Sequence, residues 1–209
     1  MRRKTVVSAV AAGLVAGSAY LWFGDSAPFP YSQRWMLDVP LPGLTTNRLT
    51  RVLRPTPGER MLEIGPGTGL QTLAVADQLG PAGRVDIVDI QQEMLDHVER
   101  RARHLGTVVP TLSDARELPF PPATFDAAYM VTVLGEIGDP AAVLREMTRV
   151  LKPGGRLVIG EFFDPHWIPF GRLRDYAEAE HLHIETRIGP TTAYLARLRP
   201  CTHHRYATL

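Results

Sequence analysis

Met61-Leu62-Glu63-Ile64-Gly65-Pro66-Gly67-Thr68-Gly69 is the stretch that decides how this chain folds. Met61 to Ile64 predicts a short strand. Leu70 to Leu79, with Leu70, Leu73, Ala74 and Ala76 at helical spacing, predicts a helix that stops at Gly80. Three glycines stand between them. Glycine lets the backbone turn tightly and lets a ligand approach closer than any side chain would permit. The helix start that follows offers amide donors with no partner inside the helix. Strand, glycine turn and helix in that order make a ligand-binding turn.

The same alternation continues outward. Thr46 to Leu53 predicts a short helix that ends before Pro55. Further strands are expected at Arg84–Ile90, Thr107–Leu112, Phe125–Val131 and Arg156–Glu161, the last entered through the turn Lys152-Pro153-Gly154-Gly155. Helices are expected at Gln91–Leu105, at Pro140–Leu151 with Asp139 as N-cap, and around Phe170–Glu180. Two late strands, His183–Ile188 and Ala193–Leu198, are joined through Gly189-Pro190. That link is too short for a parallel crossover, so the final strand should run antiparallel. Strands alternating with helices predict an α/β fold: a doubly wound, seven-stranded, mostly parallel sheet with helices on both faces. The chain divides into an apolar segment at 1–26, a proline-rich linker or lid at 27–45 carrying Phe29, Tyr31 and Trp35, and a domain at 46–209.

Composition narrows the function classes. The 209 residues suit one domain with a sizeable core. Lys plus Arg is 23 and Asp plus Glu is 22, a near balance that gives no electrostatic footprint for nucleic acid. The single cysteine, Cys201, excludes an internal disulfide and a cysteine-based metal cluster. His203 and His204 have no acid or cysteine nearby to complete a metal site, so no metal is expected. Arg2, Arg3 and Lys4 precede an uncharged apolar run, Thr5 to Phe23, ended by Asp25 and Pro28. Its length suits a membrane anchor, Gly17 and Ala19 suit a cleavable signal peptide, and a surface-lying or buried helix or an upstream start codon fits as well. The basic cluster before the run argues for a domain outside the membrane. An adenosine cofactor made in the cytosol argues for the cytoplasmic face, which is the expectation taken here.

Two details separate the glycine turn from other nucleotide-binding turns. A dinucleotide fingerprint G-x-G-x-x-G would need glycine where Leu70 stands, and no G-K-[ST] ending makes a phosphate loop. Glu63, in the strand just before the turn, suits a positively charged ligand; the methionine end of S-adenosylmethionine carries an ammonium and a sulfonium. Asp89 closes the second strand about twenty residues beyond the glycines, where a carboxylate accepts from ribose hydroxyls. Asp86 competes for that role from mid-strand.

With Val88-Asp89-Ile90, Glu93-Met94-Leu95, Ser113-Asp114-Ala115, Leu118-Pro119-Phe120, Phe125-Asp126 and Leu151-Lys152-Pro153-Gly154-Gly155-Arg156-Leu157, the glycine stretch resembles the ordered motifs of class I S-adenosylmethionine-dependent methyltransferases of the small-molecule, type 11-like kind. The resemblance runs from about Thr46 to Pro200. It implies a Rossmann-like fold and S-adenosylmethionine as cofactor. Gly65, Gly67 and Gly69 would make the cradle, with Glu63 at the amino-acid end. Asp89 would hold the ribose and Ile90 would pack on the adenine. Asp114 would accept from the adenine amino group and the Ala115 amide would donate to the ring.

Methyl transfer is an in-line displacement that asks mainly for positioning. A base is needed only where the acceptor must lose a proton. Glu136, Glu161, Asp164 and His166 fall on segments expected at the cofactor edge, with His166 and Glu136 the candidates for proton transfer and Tyr194 a candidate pocket wall. Thr132-Val133-Leu134-Gly135-Glu136 lacks the Asn/Asp-Pro-Pro-Tyr pattern of amino-methylating nucleic-acid enzymes. A small acceptor, lipid- or quinone-like, suits the apolar run and the aromatic lid. The alternatives are a non-catalytic, membrane-tethered S-adenosylmethionine-binding module and an aminopropyltransferase-like adenosine enzyme.

Overall fold

β1 (Arg60–Ile64) lies inside a seven-stranded sheet and is buried from Met61 to Ile64. A computed structural model describes residues 28–39 and 41–201. The sheet order is β3-β2-β1-β4-β5-β7-β6, with β2 at Arg84–Asp89, β3 at Val108–Leu112, β4 at Phe125–Val131, β5 at Leu151–Phe162, β6 at Leu182–Ile188 and β7 at Ala193–Pro200. β1 to β5 are parallel. β7 is antiparallel to both its neighbours, slotted between β5 and β6. The helices are α1 (Thr46–Leu53), α2 (Leu70–Leu79), α3 (Gln92–Ala102), α4 (Pro140–Val150) and α5 (Phe170–Ala179).

Side chains alternate across a strand, so each strand feeds two cores. Met61 joins Leu49, Val75, Leu79 and Val98 on the face covered by α1, α2 and α3. Leu62 and Ile64 join Val143, Met147 and Leu173 on the face covered by α4 and α5. Because both faces are covered, β1 reads as a nearly continuous apolar run rather than an alternating one. After β1 the chain builds β2 and β3 on one side, then returns to place β4 on the other. The strand ends part at that reversal and open a crevice at the carboxyl edge.

Three boundaries differ from the sequence reading. β5 begins at Leu151, not Arg156: Lys152-Pro153-Gly154-Gly155 is absorbed as an irregularity, the register stepping from Phe125↔Leu151 to Ala127↔Arg156, with Gly154 at φ 78°. α3 stops at Ala102 rather than Leu105, short of Gly106 at φ 67°. Tyr31–Asp38, read as irregular, winds into a 3₁₀ helix. The N-cap at Asp139 forms, its carboxylate accepting from the Ala142 amide at 3.0 Å. None of the described helices is long and apolar enough to cross a membrane; the run at 5–23 lies outside the described residues, as do His203 and His204.

Asp86 is fully buried in β2 and receives two guanidinium forks, from Arg60 at 2.8 and 3.0 Å and from Arg84 at 2.9 and 2.5 Å. A carboxylate so engaged ties β1 to β2 and has no capacity left for a ligand. Asp86→Ala should therefore cost about 2 kcal/mol in urea unfolding, since both arginines can still turn to water.

Candidate active site

Gly65, Gly67 and Gly69 all hold positive φ, at 64°, 55° and 84°. A Cβ on Gly65 would lie 2.5 Å from Val133 Cγ2, just past β4, and one on Gly69 would lie 2.9 Å from Val98 Cγ1 on α3. The turn is thus closed to any side chain, by conformation and by space. The Gly65 amide donates to the Val88 carbonyl at 2.8 Å, which sets the turn beside the end of β2. Thr68 Oγ1 donates to Asp38 Oδ1 at 2.7 Å. Arg101 donates to the Thr68 carbonyl at 2.8 Å and to Asp38 at 3.1 Å, tying the 3₁₀ segment over the turn.

Glu63 sits beneath the turn at 3% exposure, with Oε2 accepting from Thr72 Oγ1 at 2.5 Å and from Tyr129 Oη at 2.9 Å. Burial pushes its carboxyl up to about 7, against those two hydrogen bonds. Sequence reading had no signal for Thr72 and Tyr129, which lie on a helix and on the neighbouring strand. Asp89 ends β2 with Oδ1 accepting from the Gln91 amide at 2.9 Å. Burial raises its carboxyl too, opposed by the amides of Gln91 and Ile90. Ile90 is 54% exposed, an apolar side chain held out beside Asp89. Asp114 pairs with Arg116 at 2.6 Å, and that hydrogen bond holds its carboxyl below the usual range. Ala115 is buried beside it.

A second group of acids lies across the crevice. Glu136 ends the short 3₁₀ turn Leu134–Glu136 after β4. Burial first, then the charges of Asp164 and Asp89, push its carboxyl up to about 8, while the Phe29 amide hydrogen-bonds to it. Glu161, near the end of β5, accepts from the Ile168 amide at 3.2 Å and is also pushed up to about 8, chiefly by burial. Asp164 caps its own loop by accepting from the His166 amide at 2.8 Å. Gly135 is a site residue that sequence reading missed. A Cβ there would fall 1.6 Å from the His166 carbonyl oxygen, so only glycine lets the 164–168 loop seat against this turn. Tyr194 does not line the crevice as expected: it is fully buried and donates to the Ile168 carbonyl at 2.7 Å, because β7 lies inside the sheet behind that loop.

Glu63, the three turn residues Gly65, Pro66 and Gly67, Asp89, Ile90, Asp114 and Ala115 all line one cavity of about 990 Å³, and Glu136 and His166 line its other end. Gly69 lies at the α2 start, just outside the lining. That volume is at the upper end of the roughly 300–1,000 Å³ of small-molecule sites. The donor set fits S-adenosylmethionine: a side-chain-free backbone cradle, an acid for the ribose, and an excess of carboxyls suited to an ammonium and a sulfonium. When bound, that cofactor supplies an electrophilic methyl group.

Turn, strand-end acid and sheet order together define the fold of class I S-adenosylmethionine-dependent methyltransferases. Within the chain, residues 62–159 match the family described as methyltransferase domain. A methyltransferase of this dependence from Aquifex aeolicus shares the fold, with a TM-score of 0.74 at 21% identity over 81% of this chain and 98% of its own. An uncharacterized 37.1 kDa protein of a Streptomyces fradiae transposon is 45% identical over 63% of this chain and 36% of its own length. The ubiquinone/menaquinone biosynthesis C-methyltransferase UbiE of Cronobacter sakazakii is 35% identical over 65% of this chain and 54% of its own. The chain thus spans about half or less of these relatives.

Removing the ribose acid by Asp89→Ala should weaken S-adenosylmethionine binding by about 2 kcal/mol, roughly thirtyfold, in calorimetric titration. Glu63 makes a separate prediction. Its folded carboxyl lies above the ordinary 4.5, so the folded state holds the proton more tightly than the unfolded one. Stability from this group is complete below about pH 4.5 and is lost as pH rises through about 7. Urea unfolding at a series of pH values should show Glu63→Gln gaining on wild type across that window, by up to about 3 kcal/mol.

Proposed function

We propose that the chain transfers a methyl group from S-adenosylmethionine to a small lipophilic acceptor, quinone-like in character, by in-line displacement. One observation carries the reading. Beyond the residues of the cofactor cradle, the cavity is lined by Phe29, Met36, Leu37, Val133, Ile137 and Phe163, with Glu136, Asp164 and His166 as the polar groups beside them. Such a wall suits a flat apolar acceptor held by a few polar groups. The UbiE relatives are C-methyltransferases of ubiquinone and menaquinone biosynthesis, which supports the same acceptor class.

In this reading the glycine cradle, Asp89 and Asp114 fix the cofactor, and Ile90 and Ala115 flank its adenine. The apolar walls set the acceptor in line with the methyl group. Positioning of this kind supplies several kcal/mol by itself. A ring carbon or hydroxyl that accepts a methyl group must shed a proton, and Glu136 and His166 are the cavity groups able to receive it. Apolar residues 5–23 would bring the domain to the cytoplasmic face of a membrane, where both a cytosolic cofactor and a lipid-soluble acceptor are at hand.

Incubation of the full chain with tritiated-methyl S-adenosylmethionine and fractionated cell extract tests the reading. Label should pass into the organic-solvent fraction. Label confined to protein or nucleic acid would overturn the acceptor class, and tight cofactor binding without any labelled product would favour a non-catalytic binding module.

A further inference from the structure

Glu136 and Asp164 line the acceptor end of the cavity, and Glu161 is buried behind that lining, its Oε2 on the Ile168 amide; the three sit on different supports, the turn after β4, the loop after β5 and the end of β5. Among the described residues, no lysine or arginine forms an ion pair with any of them. Glu161 is 2% exposed, and while Oε2 takes the Ile168 amide, Oε1 has no hydrogen-bond partner. The groups that face this pair are all accounted for. Asp164 and His166 come from the loop, Asp89 from β2, the Phe29 amide from the segment over the cavity, and the buried Tyr194 hydroxyl from β7. Among the described residues, His166 is the cation whose charge reaches Asp164, and Arg187 bears on Tyr194. Gly135 packs on the His166 carbonyl, so the turn that carries Glu136 and the loop that carries Asp164 lie against each other.

Two buried carboxyls without a fixed counter-charge respond strongly to any positive charge brought near them. Glu136 also senses Asp89, the ribose acid, which places it toward the cofactor end of the acceptor space. We infer that Glu136 and Glu161 form a charge-linked proton store, which releases a proton when a sulfonium ligand enters the cavity and takes one back when methyl transfer neutralises that charge. The inference rests on the methyl-transfer reading above.

The balance closes. The S–CH₃ bond breaks with its electron pair staying on sulfur, the acceptor forms a bond to the methyl carbon, and the acceptor loses one proton. A carboxylate at Glu136 receives that proton as the sulfonium charge disappears. The cavity therefore carries the same net charge before and after, and no charge is left unbalanced in a low-dielectric site. Burial, which makes the ionised pair costly in the empty cavity, makes it a good proton acceptor in the loaded one.

Binding alone tests this, without turnover. Titration calorimetry of the full chain at neutral pH, in two buffers of different ionisation enthalpy, reads the protons released on binding S-adenosylmethionine and on binding its demethylated product, S-adenosylhomocysteine. Wild type should release about one proton more with the sulfonium ligand. The ligand's own amino group titrates alike in every variant, so the quantity compared between variants is the excess released on S-adenosylmethionine over S-adenosylhomocysteine. That excess should disappear in Glu136→Gln and shrink in Glu161→Gln. Equal release on both ligands in wild type, or an excess that survives Glu136→Gln, overturns the proton store. Binding of neither ligand overturns instead the cofactor reading on which it depends.

Discussion

Three elements remote in sequence press on one turn, and that crowding organises the molecule. Val133 meets Gly65, Val98 meets Gly69, and Leu37 comes within 3.1 Å of where a Cβ on Gly67 would sit. The contacts at Gly65 and Gly69 leave no space for a side chain, the one at Gly67 is tight, and the left-handed φ values would strain a side chain at all three. The turn is therefore fixed by β4, by α3 and by the 3₁₀ segment at once. Ile64 pairs with Val88, so the residue after each strand's last pair, Gly65 on one and Asp89 on the other, come side by side. The glycine turn and the Asp89 carboxylate are thus set side by side by strand register as much as by motif.

The carboxyls divide according to which effect wins, burial or pairing. Asp86 is wholly buried yet carries two arginines, so it is a structural tie. Asp114 is partly exposed and carries one arginine, which keeps it charged. Glu63 and Glu161 are buried and Glu136 is partly buried, none paired with a lysine or arginine among the described residues, and in each desolvation outweighs the hydrogen bonds. A protein that needed only stability would replace such groups with apolar ones of similar volume. Their concentration along one cavity is the mark of a site rather than of a core.

Much of this was legible in the sequence because the governing interactions are local. The strand–turn–helix at Met61 to Leu79, the cap at Asp139 and the hairpin through Gly189-Pro190 each depend on neighbours a few residues away, and each is present. The order of the last two strands was not legible. A short link shows that β6 and β7 are antiparallel, but only tertiary packing decides that β7, nearly all apolar, takes the interior place. For that reason Tyr194 became a buried support of the 164–168 loop instead of a pocket wall. Likewise Lys152-Pro153-Gly154-Gly155 carries every local sign of a turn, yet pairing with β4 on both sides draws it into one long strand. Gly135 gave no local sign at all; its need for glycine comes from a carbonyl thirty-one residues away in sequence.

The two ends of the cavity also differ in where their residues come from. The cofactor end, from Glu63 to Ala115, falls wholly inside residues 62–159, the part that matches the methyltransferase domain. Much of the acceptor end does not. Phe29, Met36 and Leu37 precede the matched region, and Phe163, Asp164 and His166 follow it; Val133, Glu136 and Ile137 come from within it. The sulfonium ligand is the same whatever is methylated, so its cradle is held by a shared core of strands. The acceptor varies, and its walls are supplied by chain that leads into and out of that core, clamped to it through Asp38 on one side and Gly135 on the other. On the methyl-transfer reading proposed above, acceptor specificity follows from how these two flanking segments close on a common turn.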